Sequence, residues 1–135
     1  MVDALAKQAT EPEVAIALLK DAKFDCHRAR HDAIDAATSK MIGDINAAVE
    51  YLSASVVLKS YPKFTEYFSQ LQRVRRKIAV SREDRDNRDL IYDSIQKAEL
   101  EDLVAKYDDF MACEKLMIAA ADEDRQRDNR NMATI

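Results

Sequence analysis

The chain has 135 residues, a formal net charge of −4 and a charged fraction of 34%. Gly occurs once, Pro twice and Trp never, so there is little material for tight turns or sheet bulges. The hydrophobic fraction of 47% argues against a disordered polymer. We therefore predict one all-α domain, residues 1–135, built from long antiparallel helices in a bundle or coiled coil.

The cysteines and the start of the chain bear on its compartment. Two cysteines make no disulfide framework, and neither has a second Cys at zinc-binding spacing. The first residues, MVDALAKQATEPE, lack a basic region followed by an apolar one, and no window of about 18 apolar residues occurs. These features predict an intracellular, cytoplasmic protein without a transmembrane segment.

The first predicted helix covers residues 11–59. Thr10 and Glu13 form a capping box, in which each side chain binds the other residue's backbone N–H, and Pro12 suits a first turn. Helical spacing of apolar residues then continues for about 48 residues, or roughly 70 Å. The segment 39–43, which ends in Gly43, is the place where we expect a kink or break.

A proline and a polar segment divide the rest of the chain into two predicted helices. Pro62 disfavours helix at Tyr61, so the chain is expected to reverse there and to form a second helix over 61–79. The segment 81–89 has no apolar residue and is predicted as a loop. A last helix is predicted over 88–124, followed by a polar tail, 125–135, that frays.

A heptad pattern in the first helix predicts a contact seam. Its residues follow one another at spacings of three and four. The predicted partner or oligomer seam comprises Phe24, His27, His31, Ile34, Met41, Ile45 and Leu52. A neighbouring face carries small residues, among them Ala22, Cys26 and Ala29. Because one short helix cannot cover two faces of so long a helix, we expect self-association, as a dimer or higher oligomer.

The two histidines of the chain allow three interpretations. His27 and His31 lie one helical turn apart and, with Asp35 another turn on, would supply part of a metal site. They could also act as a pH-sensitive element of the seam. The third interpretation is partly buried rings bonded to neighbouring carboxylates or carbonyls. Since zinc takes three or four ligands and no other His occurs, we predict no metal and no cofactor.

A basic segment spans residues 59–88, with nine basic residues against four acidic ones. Such a segment attracts phosphates, and aromatic residues lie beside it. The candidate anion-binding residues are Arg73, Arg75, Arg76, Lys77 and Arg82. The alternative is a solvated helix face paired with acidic residues of this chain or of a second copy.

Catalytic patterns do not occur in this sequence. There is no Gly-rich phosphate loop and no nucleophile elbow, and Cys26 and His27 point to different faces of one helix. We expect a non-enzymatic interaction or assembly module, a scaffold or adaptor that contacts itself and another protein. The alternative function is binding of nucleic acid or an anionic membrane surface through 59–88.

Overall fold

A computed structural model describes residues 10–133 of the chain, and within this range it confirms the all-α class, since it has helices and no strand. The helices are α1 (Glu11–Leu52), α2 (Ala54–Ser60), α3 (Phe64–Glu83), α4 (Arg88–Ile95) and α5 (Glu101–Ala133). A five-residue π-helical segment, Gln96–Leu100, joins α4 to α5 without a loop. Residues 1–9 and 134–135 lie outside the described range.

The start of α1 follows the local sequence signal. Thr10 accepts a hydrogen bond from the Glu13 amide at 3.3 Å, and the Glu13 carboxylate accepts one from the Thr10 amide at 3.4 Å. Pro12 sits in the first turn, where its missing N–H leaves no helical bond unmade. The predicted capping box is confirmed.

Of the kink or break predicted over 39–43, the break is wrong, because α1 continues through Gly43 to Leu52. A glycine inside a helix costs up to about 1 kcal/mol relative to Ala, which tertiary burial readily offsets. Met41 and Ile45, on either side of Gly43, are both buried. Their packing therefore keeps the backbone helical at Gly43.

The first helix ends earlier than the predicted residue 59. Ser53 has φ 76° and ψ 154°, a left-handed conformation that is strained for a residue with a side chain. The chain turns there, so that the axes of α1 and α2 differ by 109°. This turn brings Val57 and Tyr61 across the end of the core, where both are buried. Burial of two large apolar groups compensates for the strained backbone.

The connection between α3 and α4 is shorter than predicted. The helix predicted over 61–79 is α3, which begins at Phe64 and continues to Glu83, so only residues 84–87 separate it from α4. Arg88 donates hydrogen bonds to the carbonyls of Ser81 at 2.9 Å and Arg82 at 3.0 Å. These are carbonyls at a helix end that lack helical partners, so a side chain from the next helix satisfies them.

The last helix is longer than predicted. It is helical beyond residue 124 to Ala133, so residues 125–133 of the predicted tail belong to α5. The predicted fraying is wrong for residues 125–133, which are helical.

Cross-helix contacts fix the directions of the helices. The chain begins α3 shortly after α1 ends, and Arg82 near the end of α3 lies 3.8 Å from Asp35 in the middle of α1, so α3 runs back along α1 in the opposite direction. Tyr107 of α5 donates to Asp44 at 2.6 Å, and Tyr51 at the end of α1 donates to Asp122 at 2.9 Å. The first and last long helices therefore run in the same direction.

The core lies between the later part of α1, α3 and the α4–α5 helix. Its largest fully buried side chains are Tyr67, Phe110, Ile45, Leu71, Ile95, Leu103, Val57 and Val74. The ring of Phe110 contacts those of Tyr61, Phe64 and Tyr67, with centroids 5.7 to 6.4 Å apart. The buried Lys106 ammonium is held by Gln70 at 2.7 Å, Asp102 at 3.0 Å and Glu66 at 3.1 Å.

No single helix among residues 10–133 has the length and apolar content needed to cross a membrane. By length and composition alone, α1 and α2 pass that test only as a pair, bent at the break between them.

Candidate functional site

Most of the predicted partner seam lies inside this chain. Ile34, Met41, Ile45 and Leu52 are buried against α3, α5 and α2. They are not accessible to a second protein in this structure. His27 and His31 are half-buried, and Phe24 is 66% exposed. The seam therefore belongs mainly to the core of the monomer.

The first part of α1 has no such cover. Every residue from Glu11 to Cys26 is exposed, and we call this segment the α1 overhang. At 1.5 Å per residue its 16 residues extend about 24 Å beyond His27. Its large apolar side chains are all at least 43% exposed, namely Val14, Ile16, Leu18, Leu19 and Phe24. The adjacent small residues Ala29, Ala33 and Ala36 are exposed as well.

A histidine–aspartate cluster lies where α1 leaves the core. Nδ1 of His27 and Nε2 of His31 both hydrogen-bond to Oδ1 of Asp89, the His31 distance being 3.2 Å. Asp89 is in the first turn of α4. The three side chains are half-buried, and their ligating atoms all lie within 4.8 Å of one another.

Arg30 is the fourth member of this cluster. It lies three residues after His27, on the same face of α1, and its guanidinium also donates to Oδ1 of Asp89. Its Nη1 lies 3.4 Å from both Asp93 and Gln96 on the neighbouring helix. One carboxylate oxygen thus receives three donors from α1, which fixes the start of α4 against the middle of α1.

The predicted third metal candidate, Asp35, lies in a different set of contacts. Its Oδ1 accepts a hydrogen bond from the Tyr92 hydroxyl at 2.5 Å, and Arg82 is 3.8 Å from its Oδ2. The Tyr92 ring stacks on that of His31, with centroids 4.1 Å apart and 15° between planes. The structure therefore joins the histidines to Asp89 and uses Asp35 to orient the ring beside them.

The environment shifts the pKa of two of these groups. Partial burial acts to raise the pKa of Asp89, but the hydrogen bonds from His27 and His31 and the charge of Arg30 outweigh it and lower it below its ordinary value. Burial and the bond to Asp35 raise the pKa of Tyr92 to about 12. Asp89 is therefore charged, and Tyr92 protonated, at neutral pH.

An open cleft of about 770 Å³ adjoins the cluster, between the overhang, the end of α3 and the start of α4. Three acidic residues, Asp32, Asp35 and Asp89, line it. The basic residues lining it are Lys20, Lys23, Arg28, Arg82, Arg85 and Arg88. The exposed Phe24 and the buried Tyr92 also contribute to its wall. The excess of basic side chains makes this cleft attractive to anions.

The five candidate anion-binding residues do not form one site. Arg73, Arg76 and Lys77 line one shallow depression, beside Val80 and Ile91. Arg75 and Arg82 line a different one, against α1. Lys77 is 3.4 Å from Glu99, so it has an acidic partner within the chain. Only Arg82 of the five also lines the cleft beside the histidines.

Sequence reasoning missed Asp89 and Arg30 as members of the histidine cluster. A weak signal existed for Arg30, since i and i+3 residues share a helix face. For Asp89 there was none, because 58 residues separate it from His31 and only the packing of α4 on α1 brings them together. Asp89 lay in the segment predicted as a loop, outside any local pattern with the histidines.

Chemically, the cluster offers two imidazole nitrogens and a carboxylate oxygen at one point, beside an open basic cleft. Such a donor set can clamp two helices together or bind a metal ion. Comparison with known proteins adds no further assignment, because the chain matches no protein-family model, no curated protein and no solved structure.

Proposed function

We propose that the chain is a non-enzymatic helical assembly module, which self-associates through the α1 overhang and presents the remaining helical bundle as a scaffold. One observation carries this proposal: within the described part of the chain no helix covers the overhang, which exposes the large apolar side chains Val14, Ile16, Leu18, Leu19 and Phe24. Exposed apolar side chains concentrated on one element are typical of protein–protein contact sites.

Helix stability supports the same conclusion. An isolated helix of about 12 to 15 residues is marginal in water, and most helices are held by packing of an apolar face. The overhang is about that length and has a capping box, but residues 10–133 supply no packing partner that buries any of its side chains. A second helix laid along it would supply the missing packing.

The apolar face of the overhang favours a second copy of this chain as that partner. Ala15, Leu18, Leu19 and Ala22 lie on one face of α1, at positions i, i+3, i+4 and i+7, and all four are exposed. Two overhangs paired antiparallel about a two-fold axis between Leu18 and Leu19 place Leu18 of one copy opposite Leu19 of the other. Such an isologous contact uses one surface twice and closes at a dimer.

The test is the absolute mass in solution, measured by light scattering on a sizing column over a range of loading concentrations. We expect a dimer for the unmodified chain and a monomer for the double variant Leu18→Glu, Leu19→Glu. Leu116→Glu is the matched control, because Leu116 is 73% exposed but lies on α5. It should remain a dimer. A monomer at every concentration for the unmodified chain, or a dimer that survives the double substitution, would refute the proposal.

A second candidate function rests on the basic cleft. Six basic side chains converge there, so binding of nucleic acid or an anionic membrane surface is the alternative that we propose to test alongside the first. Each phosphate neutralised contributes about 0.7 to 0.9 to the slope of log affinity against log salt.

This alternative separates from the first by binding assays with a labelled single-stranded oligonucleotide and with anionic vesicles across salt concentrations. Replacing Lys23, Arg28 and Arg85 by Gln should weaken binding and flatten the salt slope. Replacing Arg73 and Arg76 by Gln is a control on the far side of α3. Absence of binding at low salt, or equal losses in both variants, would reject the cleft as an anion site.

A further inference from the structure

We propose that His27, His31 and Asp89 form a binding site for a divalent transition metal ion of the Zn²⁺ class. This inference does not depend on self-association through the overhang. It corrects the ligand set suggested by the sequence, since the carboxylate comes from α4 and not from Asp35.

The geometry of the three ligating atoms suits a metal ion. Zinc binds His nitrogen at about 2.0 to 2.1 Å and carboxylate oxygen at about 2.0 to 2.2 Å, which sets neighbouring ligand atoms of a tetrahedral site roughly 3.3 Å apart. Nε2 of His31 lies 3.2 Å from Oδ1 of Asp89. Nδ1 of His27 is in direct contact with the same oxygen, and all three atoms lie within 4.8 Å of one another. Ring rotations that separate Nδ1 from this oxygen and set the two nitrogens at the same spacing would complete the triangle.

The chemistry of the donor set agrees with that geometry. Imidazole suits Zn²⁺, Cu²⁺, Fe²⁺ and Ni²⁺, and a carboxylate supplies the negative charge that a dication needs. Each ring nitrogen that faces Asp89 would present its lone pair to the metal, with the proton on the other nitrogen of the neutral ring. The ligands would come from two helices, so a bound metal would join the start of α4 to α1.

Neighbouring side chains determine how the site is held. Tyr92 stacks on the His31 ring and is itself anchored to Asp35 at 2.5 Å, which limits rotation of that ring. Arg30 competes with the metal for Oδ1 of Asp89. It has Asp93 and Gln96 at 3.4 Å as alternative acceptors, so a metal can displace the guanidinium without leaving it unpaired.

The remaining coordination position opens on the basic cleft. A water molecule or an anionic group fits there, and the surrounding cations favour the anion. The same cations weaken binding of a free dication. Arg30, whose guanidinium contacts Asp89, acts in the same way, so the affinity for zinc should rise when Arg30 loses its charge.

The experiment is titration of the full-length chain with Zn²⁺ by calorimetry and with Co²⁺ by visible absorption, which reports coordination geometry. We expect one metal per chain and tetrahedral Co²⁺ bands. His31→Ala and Asp89→Asn should each weaken binding at least tenfold, whereas Arg30→Gln should strengthen it. Two controls, Cys26→Ser and Asp32→Asn, should bind like the unmodified chain, because neither residue belongs to the ligand set.

Circular dichroism of each variant distinguishes loss of a ligand from loss of the fold. The proposal is overturned if the unmodified chain binds no metal. It is also overturned if a folded His31→Ala or Asp89→Asn variant retains full affinity, or if Arg30→Gln weakens binding as much as removal of a ligand. A metal bound equally by all of these variants would have its ligands elsewhere in the chain.

Discussion

The two parts of α1 share one helix but not one environment. From Ile34 to Leu52 the helix buries one face against α2, α3 and α5, whereas from Glu11 to Cys26 every residue is exposed. Both parts carry apolar residues at helical spacing. The difference teaches that the spacing of apolar residues shows which face of a helix can be buried. The lengths and directions of the other helices decide how much of that face they bury.

The largest expected effect compares one residue from each part. Ile45 is 1% exposed, so Ile45→Ala should lower the free energy of unfolding by about 2 to 5 kcal/mol. Leu18 is 64% exposed, and Leu18→Ala should change it by less than about 0.5 kcal/mol in the monomer. Urea denaturation at a protein concentration that keeps the chain monomeric measures both. Equal losses would mean that the overhang packs against the rest of the chain.

A smaller effect is expected from the hydrogen bond that holds the buried part of α1 to α5. The Tyr107 hydroxyl donates to Asp44 at 2.6 Å, so Tyr107→Phe should cost about 1 kcal/mol at pH 7. This bond is the largest cause of a lowered pKa at Asp44, with Lys40 adding to it against the opposing effect of burial.

Because the pKa of Asp44 is lowered, the effect of Tyr107→Phe on the free energy of unfolding should depend on pH. A carboxyl group with a depressed pKa in the folded state contributes stability above its ordinary value of 3.8 and loses it as the pH falls further. The difference between Tyr107→Phe and the unmodified chain should therefore shrink on acidification below about pH 4. Denaturation midpoints at pH 7 and pH 3 test this, and a difference independent of pH would contradict the assigned role of Asp44.

Gly43→Ala should stabilise the chain by about 0.5 to 1 kcal/mol. Gly43 is helical, and a Cβ atom built on it meets nothing within 4 Å. The gain arises because Ala restricts the unfolded chain more than Gly does. Thermal unfolding measures it. A loss of stability would indicate that α1 needs the freedom of glycine at this point after all.

The smallest effect concerns Glu114, whose Oε2 is buried without a hydrogen-bond partner. Burial, with a lesser contribution from Asp44, raises its pKa above 4.5. The folded state then holds this proton more tightly than the unfolded state, so stability falls as the pH rises through the folded pKa. Glu114→Gln should be more stable than the unmodified chain at pH 7 and similar to it below pH 4.5. A variant less stable at pH 7 would show that the carboxylate has a partner there.

Features encoded by neighbouring residues could be predicted from the sequence. The capping box at Thr10 and the turn at Pro62 each depend on a few adjacent residues, and the structure has both. The helix end at Ser53 could not be predicted, since no Gly or Pro marks it and the burial of Val57 and Tyr61 compensates for its strained backbone.

The candidate site shows the same division between local and distant information. The pairing of His27 with His31 follows from helical spacing alone. Its completion by Asp89 depends on how α4 packs on α1 and on Arg88 holding the end of α3 close to the start of α4. Such contacts between distant segments are invisible to periodicity, which treats each helix separately.

The π-helical segment Gln96–Leu100 sets the direction in which the buried face of α5 points relative to that of α4. Buried residues on α5 recur every seven positions, at Leu103, Phe110 and Met117, but eight positions separate Leu103 from Ile95 on α4. A wider helical turn absorbs this one extra residue. If these residues formed an ordinary α-helix with the extra residue still present, the face of α4 that carries Asp89 and the face of α5 that buries Phe110 would be rotated apart by about 100°, the angle of one residue. A single inserted residue, accommodated by the π-helical turn, therefore keeps Asp89 in phase with the core. Deletion of that residue would leave an unbroken α-helix in the same phase.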